Sequence, residues 1–291
     1  MNQIPLATLS NGVKIPQLGY GVAALAHDEI KSAVSCTAQE GYRFFDNAPF
    51  YNNEAEIAEA LRESGIKREE FFISTKLPND CHAYDDALKA FDKSMKAMKL
   101  DYMDMYMIHF PLPLRDRYCE AWKAMERLYE EGLVRVIGVS NFLESHLKRL
   151  LNKCNIKPII NELECNPYHS IQSLRRFCAG CDIRVINWFP LGGPAQPLVP
   201  YPIENYKVLL QDKVLGVIGA KYAKTPAQVA LRWAIEADMT PIPKSASPKR
   251  IRENRNVFDF SLTPEEMKSI NELDHGRRLG PDPDTFDADV E

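Results

Sequence analysis

The sequence predicts an α/β fold, a (β/α)8 TIM barrel carrying an N-terminal β-hairpin, and three observations point there. Eight short apolar runs, rich in β-branched and aromatic residues, are separated by longer amphipathic segments. The length, 291 residues, suits one barrel of about 250 residues with little left over. Neither G-x-G-x-x-G nor G-x-x-x-x-G-K-[S/T] occurs. An open doubly wound sheet, which the same alternation would fit, therefore lacks its usual phosphate-binding turn.

Taken in order, the chain begins with a hairpin signal. Asn11-Gly12 lies between ATLS and VKIP and reads as a type I′ turn, because Asn-Gly supplies two positive φ angles. The eight runs are QLGYGV, RFFDNA, FFISTK, YMDMYMIHF, RVIGVS, IINELE, RVINWF and MTPIP. Between them, residues 54–64 set Ile57, Ala58 and Leu61 on one helical face, and residues 118–131 do the same with Trp122, Met125 and Leu128. Residues 143–151, 170–178 and 226–237 read similarly. Thr225-Pro226 reads as an N-cap followed by proline at the first helical position. Thr263-Pro264-Glu265-Glu266 repeats that device, with Glu266 placed to close a capping box. The long interval before the last run leaves room for an extra helix or loop near residues 208–222. No Gly- and Ser-rich linker interrupts the chain, so residues 1–291 read as one domain. Its last stretch, 275–291, is polar and contains two prolines, and is expected to be an irregular tail.

Composition narrows the function. The net charge is −4 with both signs dispersed, so no basic stripe for nucleic acid is present. The local excess of positive charge at residues 244–255 reads, on charge alone, as a solvated helix face. No basic start leads into an apolar run, and no apolar stretch nears the roughly 20 residues of a membrane span. Neither a secretory signal nor a membrane partner is expected. Seven scattered cysteines suggest reduced thiols in the cytoplasm. Cys178 and Cys181 form a lone C-x-x-C without a second pair, which reads as incidental, and no metal site is expected.

In a (β/α)8 barrel the C-terminal strand ends meet on one face, where active sites are built. Asp46 ends the second run, Lys76 the third and His109 the fourth; Ser140 and Asn141 end the fifth. Glu162 lies in the sixth, Trp188 in the seventh, and Lys244 and Ser245 follow the eighth. Each has an ordinary structural reading alone: an Asp at a strand end caps helices, a lone His is commonly structural, and a loop Tyr such as Tyr51 packs. Together at one rim they suit carbonyl reduction. Hydride arriving at a carbonyl carbon leaves negative charge on oxygen, which needs a proton donor. A free tyrosine is too weak an acid unless tuned, and a neighbouring ammonium lowers its pKa. Lys76 is placed to do this, Asp46 to hold Lys76 charged, and His109 to donate a hydrogen bond to the substrate oxygen.

GYRFFDNAPFYNNE, FFISTKL, MIHFP, GVSNF, NELECNPY, FPLG and IPKSASPKRIRENRNVF resemble the successive signatures of the aldo-keto reductases, in order, from the hairpin to about Asp274. The resemblance implies a catalytic set of Asp46, Tyr51, Lys76 and His109, with Tyr51 the general acid. It implies a nicotinamide cofactor across the barrel mouth. Ser140, Asn141 and Glu162 would hold the carboxamide, Trp188 would stack on the ring, and Leu191 would line the pyrophosphate. Lys244, Ser245 and Arg250 would meet the 2′-phosphate of the adenosine, and Glu253 and Asn254 the adenine. An Arg fork with a Lys point charge suits a phosphate dianion, which favours NADPH over NADH. The partner expected is a small-molecule carbonyl compound; oligomeric state is not readable.

The chain departs from the family pattern at Asn47, where Thr or Ser is usual. Trp188 stands for Tyr, Phe189 for a small hydroxyl residue, and the Thr-Trp that often lines the substrate pocket is missing after Gly21. Glu162 stands where Gln is usual. Ionised, it accepts but cannot donate, and it would favour the oxidised, cationic ring; protonated or turned away, it would not. Phe50, Phe110, Leu112 and Trp188 suggest an apolar pocket or simple packing. Two other functions fit parts of the sequence. One is a Schiff-base aldolase with Lys76 as nucleophile, which Asp46 opposes by keeping the lysine charged. The other is a cofactor-binding sensor without turnover.

Overall fold

The computed structural model describes residues 3–193 and 208–287. The chain opens with an antiparallel hairpin of β1 (Leu6–Thr8) and β2 (Lys14–Pro16), with Ala7 opposite Ile15. Its turn differs from the type I′ expectation. Gly12 has a φ of +83°, but Asn11 is not among the residues with positive φ. Gly12 N donates to Leu9 O at 2.9 Å and Leu9 N to Val13 O at 2.8 Å. This is a three-residue loop in which a type I turn is followed by a left-handed glycine. Asn-Gly serves both turns, and only the flanking register distinguishes them.

The barrel follows as β3 (Tyr20–Gly21), α1 (His27–Gln39), β4 (Phe44–Asp46), α2 (Glu54–Glu63), β5 (Phe72–Leu77), α3 (Tyr84–Met98), β6 (Met103–Ile108), α4 (Tyr118–Glu130), β7 (Val134–Ser140), α5 (Glu144–Leu151), β8 (Ile160–Glu164), α6 (Gln172–Gly180) and β9 (Arg184–Trp188). Then come α7 (Lys213–Tyr222), α8 (Pro226–Glu236), β10 (Met239–Pro241), α9 (Pro248–Arg255) and α10 (Pro264–Asn271). Each of the eight apolar runs overlaps one barrel strand, and the extra element near residues 208–222 is α7. Residues 194–207 and 288–291, the latter within the expected tail, lie outside the described residues. The two predicted N-caps are present. The Thr225 and Thr263 hydroxyls accept from the backbone N–H of Gln228 and Glu266, whose side chains reach back to the cap N–H, each at 3.0 Å.

Strands β3 to β10 pair in sequence order, all parallel. The circle is completed where Gly19 N donates to Pro241 O at 3.0 Å and Gly21 N to Pro243 O at 3.3 Å. A side chain at Gly19 would fall 2.3 Å from Phe44 Cδ1, so this closure needs glycine.

The two-residue period of a strand positions the site. One set of side chains points into the barrel. Phe44, Phe72, Met105, Met107, Val136, Ile160, Ile186 and Ile242 form an apolar cluster there with Ala7, Leu9 and Ile15 of the hairpin. The hairpin thus plugs the N-terminal end, and Asn11 Nδ2 ties it down by donating to Arg135 O at 3.0 Å. The opposite set, including Phe45, Ile73, Tyr106, Ile137 and Val139, packs beneath helices that contribute Trp122, Leu147 and Trp233. Continuing the inward set toward the strand C-termini gives Asp46, Ser74, Lys76, His109, Ser140, Glu162 and Trp188. The apolar interior therefore changes to a polar one as the chain approaches the rim. Among the described residues no helix is long and apolar enough to cross a membrane.

Candidate active site

Lys76 sits at the centre of the polar layer, fully buried. Its Nζ donates to Asp46 Oδ2 at 2.7 Å and to Asn47 O at 3.1 Å, and lies 3.3 Å from Glu162 Oε1. Asp46 is saturated from its other side, because Ser74 Oγ donates to Oδ1 at 2.6 Å. Glu162 is not: its Oε2 is buried and has no hydrogen-bond partner. One ammonium thus serves two carboxylates, and the second is served loosely. Burial opposes the charge of Lys76, but Asp46, Glu162 and Tyr51 outweigh it and hold the ammonium above its ordinary range.

Tyr51 comes from a one-turn 3₁₀ helix, Pro49–Tyr51, just after β4. Its ring has Lys76 Nζ 5.5 Å from the centroid and stands edge-on to His109, with centroids 6.3 Å apart. The four catalytic candidates therefore converge. The net acidity of Tyr51 differs from the sequence argument. Burial pushes the phenol above its ordinary value; Lys76 pulls it down, but Asp46 and Glu162 oppose that pull. His109 is lowered to about 3 by burial and by the Lys76 charge, so its imidazole is neutral at physiological pH. Tyr51 and His109 keep some surface open at the barrel mouth, whereas the Glu162 side chain is buried. There, burial first and the Asp46 carboxylate second raise the carboxyl to about 8, against the pull of Lys76.

The next strands build a polar ledge beside this cluster. Asn141 adopts a left-handed φ of +63°, a conformation asparagine tolerates. Its Nδ2 donates to His109 O at 3.0 Å and Ser140 Oγ at 3.1 Å, and its Oδ1 accepts from Trp188 Nε1 at 3.1 Å. Trp188 is half-buried, and Phe189 stands edge-on to it with centroids 4.8 Å apart. Leu191 is partly buried beyond β9. The ledge and the lone Glu162 oxygen fit a carboxamide beside a flat ring.

The basic cluster lies on and before α9. Lys244 and Arg250 are exposed, as an incoming phosphate dianion would require. Ser245 is buried; its Oγ accepts from Ser247 N at 3.1 Å and its carbonyl from Tyr20 OH at 2.6 Å. Asn254 is buried. Glu253 is used within the fold: its carboxylate accepts from Thr225 Oγ1 at 2.8 Å.

Sequence reasoning missed the role of the tail. Residues 275–287 form no helix or strand but are tied across the rim. Glu164 accepts from the backbone N–H groups of Leu279 and Gly280 at 2.7 and 2.8 Å. A side chain at Gly280 would come 2.4 Å from Trp188 Cη2, so the tail backbone runs directly against the indole. Phe286 packs tilted against Phe110 with centroids 4.5 Å apart, and His146 Nε2 meets Asp284 at 3.0 Å. The signal available was a single phenylalanine in a polar tail. Of the apolar pocket candidates, Leu112 is fully buried packing and Phe50 is largely exposed beside His109. Cys178 and Cys181 are both free thiols.

Comparison with known proteins agrees with this geometry. The model of the aldo/keto reductase family matches residues 16–275. The 9,11-endoperoxide prostaglandin H2 reductase of Trypanosoma cruzi is 42% identical over 280 residues, covering 96% of this chain and 95% of the relative. The methylglyoxal reductase DkgA of Escherichia coli O157:H7 is 40% identical over 278 residues, 96% of each. The crystal structure of a Bombyx mori aldo-keto reductase in complex with NADP superposes with a TM-score of 0.88 at 34% identity, covering 98% of this chain and 97% of that one. The chain belongs to the aldo/keto reductase family.

Proposed function

We propose that the protein reduces an aldehyde or ketone to the alcohol with NADPH, and that Tyr51 is the proton donor. The carrying observation is the convergence of Tyr51 and His109 on a lysine that Asp46 holds as an ammonium at 2.7 Å. Bound NADPH supplies the hydride. The substrate oxygen lies between Tyr51 and His109. The neutral imidazole donates a hydrogen bond that orients it and favours the charge developing there. Tyr51 gives its proton to that oxygen, and Lys76 stabilises the phenolate left behind. Lowering the phenol from its raised resting value is thus work done by Lys76 when the site is engaged.

Ser140, Asn141 and Glu162 hold the carboxamide, and Trp188, braced by Phe189 and the tail, stacks on the ring. Leu191 lines the pyrophosphate. Lys244, Ser245 and Arg250 take the 2′-phosphate, and Asn254, with what Glu253 leaves free, meets the adenine. The match to relatives named as reductases and a neighbour solved with NADP supports this reading. Seven cysteines scattered along the sequence suit the cytoplasm. A nucleophilic lysine is disfavoured, because Asp46, 2.7 Å from Lys76 Nζ, keeps it protonated.

The test is NADPH consumption by the purified protein with a panel of simple aldehydes and ketones. Turnover is expected, and Arg250→Ala should weaken NADPH binding about tenfold while leaving NADH binding unchanged. Binding of NADPH without turnover of any carbonyl would favour the sensor reading. Borohydride trapping of a substrate on Lys76 would favour the aldolase.

A further inference from the structure

Glu162 is the one acid of the polar layer whose pairing is incomplete. Asp46 takes the short 2.7 Å contact with Lys76 and a second donor from Ser74, while Glu162 has only a 3.3 Å approach on Oε1 and no donor on Oε2, and its carboxyl lies where, once protonated, it donates to Asp46. The charged groups facing it are Asp46 from β4, Lys76 from β5 and Tyr51 from the turn after β4. Its strand neighbours Ser140 on β7 and Ile186 on β9 bring no ionisable group. Glu164, two residues on, is held by backbone N–H groups of the tail. With Glu162 protonated, Asp46 and Lys76 cancel and the buried layer is neutral; with it ionised, the layer carries one net negative charge. A neutral reduced ring suits the first state and a cationic oxidised ring the second, because buried charge is costly unless opposed.

Resting on the reductase reading, we propose that Glu162 is a proton store linked to the redox state of the cofactor, holding a proton beside the reduced nicotinamide and giving it up beside the oxidised one. The step balances. Two electrons and one hydrogen pass as hydride to the carbonyl carbon. Tyr51 gives its proton to the oxygen, Lys76 re-protonates Tyr51, and Glu162 re-protonates Lys76. The carbonyl, the neutral ring and a carboxylic acid become the alcohol, a cationic ring and a carboxylate, with no proton taken from solvent. Solvent returns that proton when the oxidised cofactor leaves. The resting carboxyl, raised to about 8, is loaded near neutrality, as this requires.

The proposal is tested by cofactor binding rather than turnover. Dissociation constants for NADP+ and NADPH are measured from about pH 6 to about pH 8, with proton release counted by calorimetry in two buffers of different ionisation enthalpy. The 2′-phosphate is common to both nucleotides and cancels in their ratio. The ratio of the NADP+ to the NADPH constant is expected to fall as pH rises, approaching tenfold per pH unit for one linked proton. NADP+ should release close to one proton more than NADPH. Glu162→Gln should flatten the ratio and abolish the difference. A flat ratio in the wild type with no differential proton release would overturn the proposal while leaving the reductase reading intact; so would a slope that persists in Glu162→Gln. If the variant does not fold, the wild-type proton count decides alone. If neither nucleotide binds, the reductase reading fails and takes the proposal with it.

Discussion

Two buried carboxylates, Asp104 and Glu162, are treated very differently by the same barrel. Asp104 lies on the helix-facing side of β6, fully buried. Arg68 meets one of its oxygens at 2.7 Å and Arg135 the other at 2.6 Å, and Ile73 N donates to it at 2.9 Å. Two cations serve one anion, and both oxygens are occupied. At the rim the ratio is inverted: Lys76 alone faces Asp46 and Glu162, and one oxygen is left without a donor. The closed arrangement stabilises the fold and has no spare capacity for chemistry. The open one sacrifices stability and leaves a lysine, a phenol and an under-paired acid whose charges respond to what binds. An acid with an oxygen left unserved, rather than burial or charge alone, separates the proposed catalytic cluster from the Asp104 cluster.

Substitutions on the two clusters should separate along this line. The largest effect is expected from Lys76→Met, which removes the only cation between two buried acids. Turnover should fall roughly a hundred- to ten-thousand-fold, as for loss of an essential acid–base group. Stability should fall by about 3 kcal/mol, read from denaturant unfolding. Asp104→Asn should cost about 2 kcal/mol, by weakening the charge-assisted hydrogen bonds from Arg68, Arg135 and Ile73 N, yet leave kcat/KM of the folded enzyme within about twofold. A comparable loss of kcat/KM would mean that the two regions are not independent.

A further prediction concerns Glu162→Gln and the pH dependence of stability alone. Because burial and Asp46 raise the folded carboxyl from 4.5 to about 8, its contribution to stability is fully present below the ordinary carboxyl pKa. It is lost as pH rises through about 8. The melting temperature of the wild type should therefore fall relative to Glu162→Gln between about pH 5 and about pH 8. A constant gap, or one that moves the other way, would show that Glu162 is ionised and satisfied in the folded state.

Much of this is legible in the sequence. Strand alternation placed Asp46, Lys76 and His109 at strand ends, and a closed barrel brings such ends together whatever their separation in sequence. The same period could have shown Ser74, two residues before Lys76, to face inward and support Asp46. The Lys76–Glu162 contact crosses the barrel between strands that are not neighbours, and needs the layer height of each residue as well as its face. The tail was opaque for a different reason. The clamp of Glu164 on Leu279 and Gly280 and the packing of Phe286 against Phe110 are single long-range contacts, with no periodicity to announce them. Tyr51 shows a third limit. The presence of a neighbouring ammonium was readable, but whether it outweighs burial depends on the depth of the pocket.

The most direct measurement is Tyr51→Phe, assayed for both turnover and NADPH binding. Removing one hydroxyl should reduce kcat roughly a hundred- to ten-thousand-fold while the dissociation constant for NADPH stays within about twofold. A variant that binds NADPH normally and reduces aldehydes at the wild-type rate would contradict the assignment of Tyr51 as the proton donor, and with it the role given to the Lys76 cluster.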